Sequence, residues 1–192
     1  RHIITIEDPI EFEYRDIKAL IHQRQVGSDV ESFSAGLRAA LRENPDVILL
    51  GELRDLATIS AALTAAETGH LVFGTLHTGS ATAAISRIID VFPGYQQAHV
   101  RVQLAASLRV VVSQRLIPTR SGRLAPAVEK MLVTPAVAAQ IRDGHEHHMR
   151  SAMQTGLAEG MITLERSLAS LVRKGRSEER RVGKEWRFRW AP

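Results

Sequence analysis

An α/β fold built on a parallel sheet is the class this sequence predicts, and three observations predict it. Short apolar runs at Ile3–Ile6, Val47–Leu50 and Leu71–Leu76 have the length of strands and are bounded by turn residues. Helical stretches separate the later runs, the alternation expected of βαβ units with right-handed crossovers. The runs end in charged or polar residues, and in open α/β sheets ligands bind at the carboxyl ends of the strands.

The elements follow in order. His2–Ile6 is rich in β-branched residues and reads as a strand. It runs into the acidic turn Glu7-Asp8-Pro9-Ile10-Glu11. Residues 17 to 31 read as an irregular or short-strand excursion with Gly27 as a turn residue. Ser32 caps a helix whose apolar side carries Phe33, Leu37, Ala40 and Leu41, and Pro45 is expected to stop it. Val47–Leu50 follows as a strand buried on both faces, ending in Gly51-Glu52-Leu53-Arg54-Asp55. Asp55 caps the next helix, about Leu56 to Thr68, which Gly69 closes. Leu71–Leu76 is a further buried strand, leading into His77-Thr78-Gly79-Ser80.

A helix then runs to about Val91, ended by Pro93-Gly94, and another spans Gln96 to Leu108. Val110–Ile117 reads as a strand, with a turn at Ser121-Gly122 and a second strand near Val128 to Val133. Helices near Pro135–Arg142, His148–Gln154 and Thr163–Lys174 complete a small, mostly helical C-terminal lobe. The expected organisation is a core over residues 1–118, the lobe over 119–175 and a basic tail over 176–192, disordered or non-native.

Composition narrows the function classes. The absence of cysteine excludes disulfides and thiolate metal sites. No apolar run reaches the roughly 20 residues that span a bilayer. The formal charge of +4 comes from the end of the chain: Arg173 to Pro192 carries a net +5 and the remaining residues a net −1. A nucleic-acid role argued from charge would therefore rest on the tail alone, and none is expected. The chain opens at Arg1 without a signal sequence or initiator Met, which reads as a fragment.

The chemistry-bearing residues gather at three strand ends. These are Glu7, Asp8 and Glu11; Glu52 with Arg54 and Asp55; and His77 with Thr78, His70 lying just before the third strand. A parallel sheet brings such ends to one edge. Phosphoryl transfer to water needs a divalent cation, a group that orients the water and positive charge on the phosphate. Carboxylates serve the first two needs and arginine the third. Val47–Leu50 ending in Gly51-Glu52 has the layout of a Walker B strand. No Gly-x-x-x-x-Gly-Lys-Ser/Thr loop occurs in the chain.

Three ordered motifs resemble the secretion-superfamily ATPases that power type IV pili and type II secretion. Ile4-Thr5-Ile6-Glu7-Asp8-Pro9-Ile10-Glu11 is similar to their Asp box, Leu41 to Asp55 to the signature around an atypical Walker B, and Thr68 to Thr78 to their His box. The resemblance covers roughly residues 1 to 175. Ala65-Ala66-Glu67-Thr68-Gly69-His70 and Asp90-Val91-Phe92-Pro93 favour the pilus-retraction subgroup, as does the lack of the four-cysteine zinc site of many assembly and secretion relatives. A departure lies at Ala136 to Asp143, which keeps the subgroup's Ala-Ile-Arg-Asn-Leu-Ile-Arg-Glu motif only in part.

The resemblance implies a RecA-like core that binds ATP and Mg²⁺. It implies Glu11 as the general base, Glu52 as the Walker B carboxylate acting on Mg²⁺ through water or on the nucleophile, and His77 as the contact to the γ-phosphate, supported by His70. Arg24, Arg38 and Arg54 become candidates for phosphate contact or for arginine fingers, with Thr78 beside the nucleotide. A homo-oligomeric, hexameric ring is implied, at the cytoplasmic face of the inner membrane against a pilus platform protein. The phosphate-binding loop is expected upstream of Arg1.

Plainer readings stand beside these. Glu11 can be a solvated turn carboxylate, Glu52 a helix-capping acid, His77 a loop histidine and His70 a structural part of its turn. Arg24 and Arg38 can be surface or interface ion-pair residues, and an Asp neighbour can hold Arg54. His145-Glu146-His147-His148 reads as a solvated helix start rather than a metal site. At the level of function, the alternatives to a retraction motor are a type II secretion or pilus-assembly ATPase and a non-catalytic ring-assembly module.

Overall fold

The computed structural model describes residues 1–176. The expected tail, apart from Arg176, lies outside the described residues. The chain divides into two compact units. One comprises Arg1–His77 with Arg87–Ser107, and the other Thr78–Ser86 with the chain from Leu108 onward.

The first unit is built on a four-stranded, wholly parallel sheet of order β2-β1-β3-β4, where β1 is His2–Glu7, β2 Leu20–Gln25, β3 Val47–Leu50 and β4 Leu71–Gly74. This is the α/β parallel core expected from the sequence. The excursion between residues 17 and 31 is a full member of the sheet: β2 pairs with β1 in register from His2↔Leu20 to Glu7↔Gln25.

Helix α1, Phe33–Ala40, begins where Ser32 accepts a hydrogen bond from the Ala35 amide. It does not run to Pro45. A 3₁₀ turn over Leu41–Glu43 follows, and Asn44 ends it in the left-handed region at φ 54°. Asparagine tolerates that conformation better than most side chains, so the stop lies one residue before the proline. Helix α2, Leu56–Glu67, starts at Asp55, whose carboxylate accepts from the Thr58 amide at 2.9 Å and the Thr58 hydroxyl at 2.8 Å. Leu37 of α1 and Ala62 and Ala65 of α2 pack with Ile6, Ile48 and Leu50 into one core on a single face of the sheet.

That one-sided cover corrects an expectation. β3 and β4 are not buried on both faces. Val47 and Leu49 are half-buried on the face opposite Ile48 and Leu50, and in β4 Leu71 and Phe73 are 50% and 51% exposed. β4 is the edge of the described sheet, with a neighbour on one side alone.

Helices α3, Ala81–Asp90, and α4, Gly94–Ser107, follow. In the second unit β5, Val110–Pro118, and β6, Leu124–Leu132, form an antiparallel hairpin in register from Val110↔Leu132 to Pro118↔Leu124. β6 is longer than expected, because Leu124 to Ala127 completes the ladder through Pro126 rather than stopping at it. Its alternate residues are buried, and Ile117, Ala125 and Ala127 pack against Leu164, Leu168 and Leu171 of the last helix, α7, Leu164–Arg173. Helices α5, Pro135–Asp143, and α6, Met149–Thr155, lie between, and a 3₁₀ turn over Glu146–His148 precedes α6. No helix among the described residues is long and apolar enough to cross a membrane.

Burial works to raise the pKa of Asp55, but the hydrogen bonds from the Thr58 amide and hydroxyl and from the Ala57 amide outweigh it, so the carboxyl lies below the usual aspartate range. The stability the charged cap contributes is therefore complete above the unfolded pKa of about 3.9 and is lost as pH falls through the lowered folded value. Asp55→Ala is expected to cost about 0.5–1 kcal/mol at neutral pH, the low end for an exposed N-cap. Urea unfolding of both forms at a series of pH values should show that difference shrinking in acid. A gap unchanged from neutral pH down to pH 3 would remove the charged cap as its cause.

Candidate active site at the carboxyl edge of the sheet

The ends of β1, β3 and β4 are joined by backbone hydrogen bonds just beyond the ladder. The Gly51 amide donates to the Ile6 carbonyl at 2.8 Å and the Leu53 amide to the Thr75 carbonyl at 2.9 Å. The Thr75 hydroxyl donates to the Gly51 carbonyl. Glu52 thus sits between two residues pinned to the strands on either side. Its side chain is 25% exposed, with Arg54 Nε at 3.5 Å and His77 Nε2 at 3.7 Å, both from the same carboxylate oxygen.

Two glycines permit this approach. A Cβ on Gly51 would lie 3.2 Å from the Ile6 carbonyl oxygen and 3.3 Å from Glu7 Cα. A Cβ on Gly74 would lie 2.6 Å from Leu53 Cδ1. Gly74 ends β4 in register with Leu50, the last residue of β3, which Gly51 follows.

The acidic turn after β1 is held from β2. Glu7 accepts from the Thr5 hydroxyl at 2.6 Å and from Gln23 Nε2 at 3.0 Å. The Ile10 amide donates to the Gln25 side chain at 3.2 Å, Gln23 donates to the Phe12 carbonyl at 2.8 Å, and the Tyr14 amide donates to Gln23 at 2.7 Å. Glu11 is therefore flanked on both sides by tethers to β2, while its own side chain is exposed. The Asp8–Pro9 peptide is cis.

The fold brings Glu52, Arg54 and His77 together, and sets the Glu7 to Glu11 turn on the neighbouring strand. It does not bring His70 to this edge. His70 precedes β4, at the amino end of the sheet, where its Nδ1 is 3.1 Å from the Ala65 carbonyl and 3.2 Å from the Thr68 hydroxyl. Arg24 is paired with Glu43 at 2.5 Å and is 22% exposed. Arg38 is exposed on the last turn of α1. The Thr78 hydroxyl lies 3.4 Å from the Ser80 carbonyl, which accepts from it. Sequence reasoning passed over Gln23, Gln25, Gly74 and Thr75. The register signal for the last two was present, since Gly74-Thr75 ends β4 as Gly51-Glu52 ends β3.

The comparisons with known proteins give the family. The family model described as type II/IV secretion system protein matches residues 1–186. The chain belongs to this family. It is 55% identical over 174 residues to the type IV pilus retractation ATPase PilT of Pseudomonas aeruginosa, covering 91% of this chain and 51% of that protein. It is 51% identical over 175 residues to a twitching motility protein of Neisseria gonorrhoeae, covering 91% of this chain and 47% of that one. Among solved structures it is similar to the pilus retraction motor PilT with bound ADP, at a TM-score of 0.87 and 45% identity over 94% of this chain and 51% of that chain. The Legionella pneumophila ATPase DotB gives a TM-score of 0.85 at 30% identity, over 95% of this chain and 50% of that chain. The secretion-family chain thus spans about half the length of these relatives.

The contact between Gly74 and Leu53 can be tested within this chain. Gly74→Ala is expected to destabilise by about 1–3 kcal/mol, since the methyl group must displace the Leu53 side chain. Combining it with Leu53→Ala should recover at least about 0.5 kcal/mol relative to the sum of the single changes. A double-mutant cycle from denaturant unfolding measures that coupling, and strict additivity would mean the two residues do not constrain each other.

Proposed function

We propose that this chain is the hydrolytic half of an ATP-driven motor of type IV pilus retraction. The observation that carries the reading is the grouping of Glu52, Arg54 and His77 at the carboxyl edge of a parallel sheet, with the acidic turn of Glu7 to Glu11 tethered beside it. The similarity to a retraction ATPase and to an ADP-bound retraction motor supports the same reading. The phosphate-binding loop belongs to the half of such a protein that this chain does not span.

In this proposal Glu52 orients the attacking water, and its partly exposed carboxylate accepts a proton-bearing ligand in line with the edge. Glu11 takes the proton of that water as general base. His77, 86% exposed at its side chain, is free to turn from Glu52 to a γ-phosphate. Arg54, 74% exposed, is the arginine of this cluster best placed to neutralise phosphate charge. Arg38 and Thr78 are further nucleotide or neighbouring-subunit contacts. Arg24 must leave Glu43 to reach a phosphate. His70 acts indirectly, by fixing the turn into β4.

A single clamped carboxylate with open sides suits Mg²⁺, which keeps several waters and takes one or two carboxylates plus substrate phosphates. Glu52 would hold that ion through water, and the ion would neutralise charge on the phosphates. The proposed assembly is a hexameric ring at the cytoplasmic face of the inner membrane, working against a pilus platform protein and not on nucleic acid.

Within the longer protein that carries the phosphate-binding loop, Glu52→Gln should lower ATP turnover by about 10²-fold or more while leaving nucleotide affinity nearly unchanged. Steady-state hydrolysis and equilibrium nucleotide binding measure the two effects. Turnover like the wild type in that variant would remove Glu52 from the mechanism. The 192-residue chain alone is expected to show no ATPase activity, and a robust rate sensitive to Glu11→Gln would contradict the division proposed.

A further inference from the structure

At the opposite end of the first unit's sheet, His2, His22 and Glu43 form a cluster outside the nucleotide chemistry. His2 opens β1. His22 lies in β2 opposite Ile4, so the two histidines are diagonal neighbours on the same face of the pair. Their Nε2 and Nδ1 atoms are 3.2 Å apart, and the rings meet edge to face at 85°. Glu43, at the end of the 3₁₀ turn after α1, brings a carboxylate oxygen to the same place, and all three ligand atoms lie within 4.8 Å of one another.

We infer that His2, His22 and Glu43 form a binding site for a zinc-class divalent cation. Two ligands on a tetrahedral Zn²⁺ with bonds near 2.05 Å stand about 3.3 Å apart, which the two imidazole nitrogens already match. The Glu43 carboxylate needs a closer approach of at most about 1.5 Å to reach that spacing, within the reach of a side chain that is 35% exposed. Water completes the shell. Imidazole and carboxylate together suit Zn²⁺, Co²⁺, Ni²⁺ or Cu²⁺, whereas Mg²⁺ prefers oxygen throughout. Arg24 pairs with one oxygen of Glu43, and the carboxylate keeps its other oxygen for a metal. In that arrangement Arg24 orients the ligand, while its positive charge weakens the affinity.

The six residues of β1 place this cluster roughly 17 Å from the Glu7 end of the strand. The site therefore lies away from Glu52, Arg54 and His77, and Arg24, paired with Glu43, is the one residue it shares with the candidates for phosphate contact. It ties together β1, β2 and the connection into β3, to which His2 is already joined through its amide and Asp46 at 2.8 Å. A bound ion would stabilise the strands that present Glu7 and Glu52 at their far ends, and the inference stands whether or not the chain belongs to an ATPase.

The test uses the full 192-residue chain stripped with chelator. Zn²⁺ titrated by calorimetry should bind with one site per chain and raise Tm by roughly 2–4 °C, and Mg²⁺ should do neither. Co²⁺ should give visible absorption of a low-coordinate nitrogen and oxygen site. His22→Asn and Glu43→Gln should each weaken Zn²⁺ binding at least about tenfold, the effect of a lost ligand or its support. Both are surface changes, and circular dichroism with Tm in chelator confirms that the variants fold. Changing His145, His147 and His148 together to Ala should leave binding intact. The proposal is overturned if no Zn²⁺ binds, if Mg²⁺ gives the same shift, or if binding survives His22→Asn and Glu43→Gln. Loss of binding in the His145, His147 and His148 variant, or equal weak binding in every form, would show an adventitious ion only.

Discussion

The clamp beyond the ends of β1, β3 and β4 is the constraint on which the candidate site depends. Three hydrogen bonds, Gly51 to Ile6, Leu53 to Thr75 and Thr75 to Gly51, leave the chain through Glu52 little freedom. They require that the backbones approach closely, which is why Gly51 follows β3 and Gly74 ends β4. They also require the parallel register, because a slip of one residue would turn Glu52 to the opposite face. The register is in turn set by the buried row Ile6, Ile48 and Leu50 against α1 and α2. Burial on one face of the sheet thus determines where a carboxylate stands at its edge.

Much of this was legible in the residues. Ser32 and Asp55 begin helices because each offers a side-chain oxygen to an amide that the helix leaves without a partner. The apolar runs found their strands, and the polar residues following them met at one edge. The comparisons establish the family that the three motifs suggested. The resemblance itself, rather than periodicity, supplied the roles assigned to Glu11, Glu52 and His77.

What was not legible has physical causes. β2 reads as an irregular or short-strand excursion because its glutamines and arginine break the apolar pattern, and nothing in that reading shows that Gln23 and Gln25 hold the Glu11 turn from that position. Apolar content alone could not tell that β4 stands at an edge, since an exposed and a buried apolar strand share one composition. The end of α1 depends on one left-handed asparagine, whereas the proline after it is the louder signal. His70 and His77 bracket the same strand, and the His-box resemblance made His70 a support of His77 beside its plainer reading as part of its turn, but a strand separates its two ends by its whole length. The cluster of His2, His22 and Glu43 spans three elements and has no local spacing to betray it.

The charges at the edge do not hold the site together. Arg54 and His77 approach one oxygen of Glu52 at 3.5 and 3.7 Å, beyond ordinary hydrogen-bond length, and both are largely exposed. Exposed pairs of this kind contribute little to stability, because solvent screens them and the side chains lose freedom in forming them. Their geometry is therefore not the cause of the fold but its product. Backbone hydrogen bonds position Glu52, and the strand ends deliver Arg54 and His77 to it. A site arranged in this way keeps its carboxylate in place while its two partners, Arg54 and His77, remain able to exchange it for another anion. A tightly hydrogen-bonded ion pair would oppose that exchange. The loose contacts and the rigid backbone beneath them are accordingly two halves of one arrangement: fixed placement of the acid, and low cost for releasing its partners to the phosphate proposed above.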